Sequence, residues 1–215
     1  MVVALLMTTV LGVLVASVTM LTVGETRVAA TYRHGGAAQY AAEIAIALAL
    51  QVLDGMPDWN AVLRGEAISA FADGAPAGLR QTAAGAIDLS ALTNLARCDR
   101  TVNCTAAAIG TVTAERPWGS NNPVWQLFVF GSIRELLNAD SDAYVVVWVA
   151  DDPAECDGRP DVDGDACPDG ANAGSNVLAL RAVAFGLAGV AEEIEVTAGR
   201  LGGGRVRLLS WRKRR

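Results

Sequence analysis

The chain has 215 residues, a formal charge of −6 and a pI of about 4.8. An acidic balance of this size excludes a general nucleic-acid binder, which is ordinarily basic. The length holds one good domain plus a stem, or two small domains.

Residues 1–23, MVVALLMTTVLGVLVASVTMLTV, carry no charge. As a helix they reach roughly 35 Å, enough to cross a hydrocarbon core about 30 Å thick. They therefore predict a transmembrane segment. A cleavable signal peptide fits poorly, because the apolar run is too long and no basic region precedes it. Residues 24–54 continue without proline as an Ala-rich amphipathic helix. Val28, Tyr32, Tyr40, Ile44, Leu48 and Val52 recur at four-residue steps, interrupted by Gly35-Gly36. This row predicts the face that lies on something apolar. The two glycines each cost about 1 kcal/mol relative to alanine and offer a place to bend. Gly55 and Pro57 are the stop signal.

The rest, residues 55–215, reads as a globular head. Asp58 is placed to cap a short helix through Leu63, and Asp88 one over residues 90–97. Gly65, Gly74, Pro76, Gly78 and Gly85 mark the remainder up to that helix as loops. Residues 123–130 (PVWQLFVF), 144–150 (YVVVWVA), 177–185, 193–198 and 205–211 are strand candidates. Ile194, Val196 and Ala198 alternate with Glu193, Glu195 and Thr197, and Val206 and Leu208 with Arg205 and Arg207. The last three strands thus predict an antiparallel meander with one wet face. A long helix followed by an antiparallel sheet is an α+β plan. Gly202-Gly203-Gly204 lies between two strands and reads as a hairpin connection rather than a phosphate loop.

Four cysteines fall as two close pairs, Cys98 with Cys104 and Cys156 with Cys167. Neither spacing suits zinc. Three connectivities are possible, and two local disulfides, each closing a polar loop, are the natural one. Disulfides persist outside the cytosol, which places the head in the periplasm or outside the cell. Arg27 and Arg33, just past the apolar run, argue the reverse by the positive-inside rule; the cysteines outweigh them. The closing Arg212, Lys213, Arg214 and Arg215 are a solvated tail or a contact for an acidic partner or anionic lipid.

The acidic loop DDPAECDGRPDVDGDACPDGANAG holds Asp161, Asp163, Asp165 and Asp169. Alternating carboxylates on a Gly-containing turn can converge on one hard cation, and Ca²⁺ accepts irregular oxygen cages. A Cys156–Cys167 bridge would hold such a loop closed. Asp157 and Asn172 are weaker ligand candidates. DVDGDACPD resembles part of a thrombospondin type 3 calcium repeat; it is not an EF-hand, since Gly164 and Asn172 fall at the wrong places. The expected cofactor is one structural Ca²⁺. With His34 the single histidine, no Ser-His-Asp or Cys-His arrangement exists to propose, and an enzyme is not expected.

The opening run, VALLMTTVLGVLVASVTMLTVGETRVAATYRHGGAAQYAAEIAIAL, together with the Cys-bearing β half, resembles type IV pilins, most of all PilX-type minor pilins. The resemblance covers about the first 50 residues well and the later VLALRAVAFG and IEVTAGR strands weakly. It implies a single-pass inner-membrane subunit with a periplasmic head that joins other minor and major pilins, primes pilus assembly and travels to the filament tip, where a tip adhesin is a further partner. It also implies a basic leader ending in Gly and a mature start at or next to Met1. Leu5 stands where most major pilins carry Glu, which is typical of secretion-system tip pseudopilins. On this resemblance Leu5, Val10, Leu14, Val18 and Leu21 form the membrane and assembly helix.

Overall fold

The computed structural model describes residues 1–115, 124–152, 177–200 and 205–214. Helix α1, Val2–Gly55, is a single rod of 54 residues, roughly 80 Å long. It passes through Gly35-Gly36 without interruption. All seven hydroxyls between residues 2 and 31 donate back to carbonyls three or four residues earlier, from Thr8 to Leu5 through Thr31 to Arg27. Residues 2–31 therefore offer no unsatisfied hydroxyl to an apolar surround.

Helix α2, Asn60–Leu63, follows the stop. Strands β1, Leu79–Thr82, and β2, Gly85–Asp88, pair as a small antiparallel hairpin. Asp88 then caps α3, Leu89–Cys98, its Oδ1 accepting from the amides of Ser90 and Ala91 at 2.9 and 3.2 Å. Helix α4 covers Ala106–Glu115. Strand β3 is Gln126–Ser132, helix α5 Ile133–Leu137, and strands β4 to β7 are Tyr144–Asp151, Val177–Phe185, Ala191–Arg200 and Val206–Arg214. Strands β3 to β7 form one antiparallel meander in sequence order. The α+β plan of a long helix on an antiparallel sheet is present, and α2 and α3 begin and end within a residue or two of their sequence signals, whereas α4 and α5 were not anticipated.

Two expectations need correction. The residues read as loops before Asp88 contain the β1–β2 hairpin, which was invisible because its strands are four residues each and Ile87 is its only buried side chain. More consequential is the face of α1. Its sheet-side residues are Ala38, Ala41, Ala42, Ala45, Ile46, Ala49 and Leu53. Of the expected row, only Leu48 is buried and Val52 is half-buried; Val28, Tyr32, Tyr40 and Ile44 are exposed. Alanine wins because a helix that lies flat on a sheet of valines and leucines must come close, and a methyl group permits that approach where a tyrosine does not.

The sheet has two covered faces at its centre. Val145, Val147, Val149, Leu178, Leu180, Ile194 and Val196 meet α1. Tyr144, Val146, Trp148 and Ala150 face the hairpin and α3. This explains why β4 is apolar from Tyr144 to Ala150. Trp148 Nε1 donates to Thr93 Oγ1 at 3.1 Å and ties α3 to that face. The wet face expected of the meander is confined to the outer strands, where Glu193, Glu195, Arg212 and Arg214 pair across β6 and β7.

Candidate functional site

The sequence-predicted assembly residues Leu5, Val10, Leu14, Val18 and Leu21 all stand in solvent, between 57% and 66% exposed. Val10, Leu14, Val18 and Leu21, at i, i+4, i+8 and i+11, share one side of the rod and Leu5 lies off it; among the described residues nothing of the head covers them. Residues 2–23 are long and apolar enough to cross a membrane and none of that stretch is buried.

Beyond that stretch the exposed apolar surface continues along α1. Tyr32 is 78% and Tyr40 68% exposed, with Ile44 on the same outward side. Tyr40 lies roughly 25 Å further along the axis than Val23. A bilayer filled by residues 2–23 cannot reach it. The molecule thus presents one apolar surface long enough for lipid and a second, offset from it, that lipid does not cover.

What holds the rod to the head is concentrated at its carboxyl end. Arg200, on β6, donates to Leu53 O at 3.1 Å, to Pro57 O at 3.0 Å and to Met56 O. Its guanidinium lies 4.4 Å from the Trp59 ring centroid. Trp59 Nε1 donates to the same Leu53 carbonyl at 2.9 Å, and Asp54 Oδ1 accepts from the Val206 amide at 2.8 Å. A cation and several donors thereby meet the orphan carbonyls and negative dipole end of α1. No sequence signal marked Arg200, because its partners are about 145 residues away.

A second polar cluster lies on the other face. Tyr144 Oη donates to Asp73 Oδ2 at 2.8 Å, and Arg80 Nε to Asp73 Oδ1 at 2.9 Å. Burial first, then the neighbouring Asp73 carboxylate, pushes the Tyr144 hydroxyl above the ordinary tyrosine range. The hydroxyl stays a donor and pins residues 73–80 to β4.

Cys98 and Cys104 form a disulfide at the end of α3, with Cα atoms 6.0 Å apart. Cys156, Cys167 and the candidate calcium ligands Asp161, Asp163, Asp165 and Asp169, with Asp157 and Asn172, lie outside the described residues, as do Gly202-Gly203-Gly204 and Arg215. Among the described residues no group of three or more His, Cys, Asp or Glu could hold a metal ion. His34 is on the stem of α1.

The fold and its exposed rod define a class: an α+β head carried on a helix able to span a membrane. Comparison with known protein families, with curated proteins and with solved structures finds no match.

Proposed function

We propose that this chain is a minor subunit of a type IV pilus-like filament, stored in the inner membrane by residues 2–23 and assembled by packing α1 against the helices of other pilins. It primes assembly and sits at or near the tip, and it is an assembly protein rather than an enzyme. The observation that carries this reading is the outward row Tyr32, Tyr40 and Ile44. A simple membrane anchor needs no apolar ridge beyond the bilayer, whereas a subunit that packs lengthwise does. Burying roughly 1,000 Å² of such surface contributes on the order of 25 kcal/mol before entropy costs. The Cys98–Cys104 bridge supports a head in an oxidising compartment.

The test is a Tyr40→Arg/Ile44→Arg double variant in the native host. Membrane insertion should be unchanged, while the count of surface filaments falls to that of a deletion strain. Wild-type filament numbers, with the chain never recovered in sheared fibres or their initiating complex, would leave a permanent membrane anchor.

The acidic loop supports a second reading on its sequence alone, a membrane-anchored periplasmic calcium-binding domain without a filament role. Chelation is then expected to lower the melting temperature of the full chain, and Asp163→Ala to remove that sensitivity. An unchanged transition after chelation would retire the calcium proposal.

A further inference from the structure

The two edges of the five-stranded sheet are finished differently. Along β3, residues 69–73 run as an added extended segment. The Ser69 amide donates to Phe128 O at 2.9 Å, the Phe130 amide to Phe71 O at 3.2 Å, and the Asp73 amide to Phe130 O at 3.1 Å. Ala72 makes a parallel bridge with Phe130. The outer edge of β7 pairs with no strand among the described residues, over nine residues without proline. Such an edge is a template for another strand unless something specifies against it.

The composition of β7 states what is excluded and what fits. Its register with β6 places Val206, Leu208, Trp211 and Lys213 on the α1 side, opposite Arg200, Ala198, Val196 and Ile194. The irregularity at Leu208–Ser210 shifts the alternation, so Arg207, Ser210, Arg212 and Arg214 share the other side. Leu209 joins them there: a Cβ at Gly199 would meet Leu209 Cδ1 at 2.8 Å. Leu208 and Trp211 remain nearly half exposed. One side of the strand is therefore mainly apolar, with Lys213 at its end, and the other mainly cationic, with Leu209 and Ser210 among the arginines. A second copy of β7 is disfavoured at this edge, because arginines would oppose arginines.

The inner neighbour shows the complementary pattern. In β6, Glu193 and Glu195 face the arginines while Ile194 and Val196 face α1. Glu195 pairs with Arg212 and with Arg214, the latter at 2.8 Å, and Glu193 with Arg214 at 3.1 Å. Arg207 makes no ion pair among the described residues. A strand entering from outside meets the same two-sided surface, with its carboxylates beside Arg207, Arg212 and Arg214 and its apolar side chains beside Leu208 and Trp211.

We propose that the free edge of β7 accepts an extended segment of a partner protein in which carboxylates alternate with apolar residues, extending the meander by one strand. Backbone hydrogen bonds supply the affinity of such additions and the alternating side chains the selectivity. The inference does not depend on filament assembly, and it holds equally for a chain that stays in the membrane.

The test uses the full chain in detergent and a fluorescein-labelled peptide AEEIEVTA, whose pattern is that of β6. Anisotropy should show saturable binding that weakens with added salt. Replacing the three glutamates by lysine should weaken it at least tenfold. Methylating alternate peptide nitrogens should do the same in one of the two phases, because only one set of amides faces the edge. Arg207→Glu should also cost at least tenfold, with an unchanged melting temperature. Absence of saturable binding, self-association through β7 in its place, or binding indifferent to both nitrogen phases or to Arg207→Glu would each overturn the proposal.

Discussion

Arg200 joins the last turn of α1 to β6 through three carbonyls and the Trp59 ring. Removing it leaves the dipole end of a long helix with fewer donors. Arg200→Ala is expected to lower stability by about 2 kcal/mol in urea denaturation, combining charged hydrogen bonds with a ring contact. Arg200→Lys should recover only part of this, because one ammonium cannot stack and reach three oxygens together. Tyr144 makes a prediction about pH. Its hydroxyl ionises less readily folded than unfolded. The corresponding stabilisation is complete below the ordinary tyrosine value near 10 and is lost as pH rises past it toward the folded value. The melting temperature should therefore fall more steeply above that pH in the wild type than in Tyr144→Phe, which at neutral pH loses about 1 kcal/mol with the Asp73 contact. Equal slopes would remove Tyr144 from the alkaline transition.

At the scale of elements, the α1–sheet contact separates two classes of residue that hydropathy alone confuses. Ala45 is fully buried against the sheet, whereas Tyr40 points outward. Ala45→Leu is expected to destabilise the isolated protein by about 1–3 kcal/mol through overpacking. Tyr40→Ala should change it by less than about 0.5 kcal/mol. Thermal or urea unfolding of the two variants checks the assignment, and a reversed order would return the buried face to the tyrosine row. The same contrast gives Tyr40 its value in the assembly test, since a substitution there alters a surface without disturbing the fold.

The described residues divide into a rod that is exposed all round along residues 2–23 and a head built around the rod's other half. On the proposed reading, the side of the membrane that carries the head is tested by its disulfide. Cys98–Cys104 closes a loop of about seven residues, and such a closure is worth about 2 kcal/mol in the chain-entropy account. Alkylation of intact cells before reduction is expected to leave both thiols unlabelled. Labelling of Cys98 and Cys104 in that experiment would reverse the orientation, place the head in the cytoplasm and agree with Arg27 and Arg33.

Hydropathy and turn signals along the chain were sufficient to locate the apolar rod, its stop at Gly55 and Pro57, the cap at Asp88 and all five strands of the sheet, because each depends on residues close together in sequence. At α2 the cap position is Trp59, and Asp58, one residue before it, accepts from the Asn60 amide. The side of α1 that is buried was not legible, since Tyr40 and Ala41 are both helix residues with apolar surface. Only the distance of approach to β4 and β5 favours the methyl group. Nor could the sequence indicate that residues 69–73 lie along one edge of the sheet while the outer edge of β7 pairs with no strand among the described residues, or that Arg200 reaches the end of α1. Those are pairings between segments far apart along the chain, and they exist only once the meander has brought its strands together.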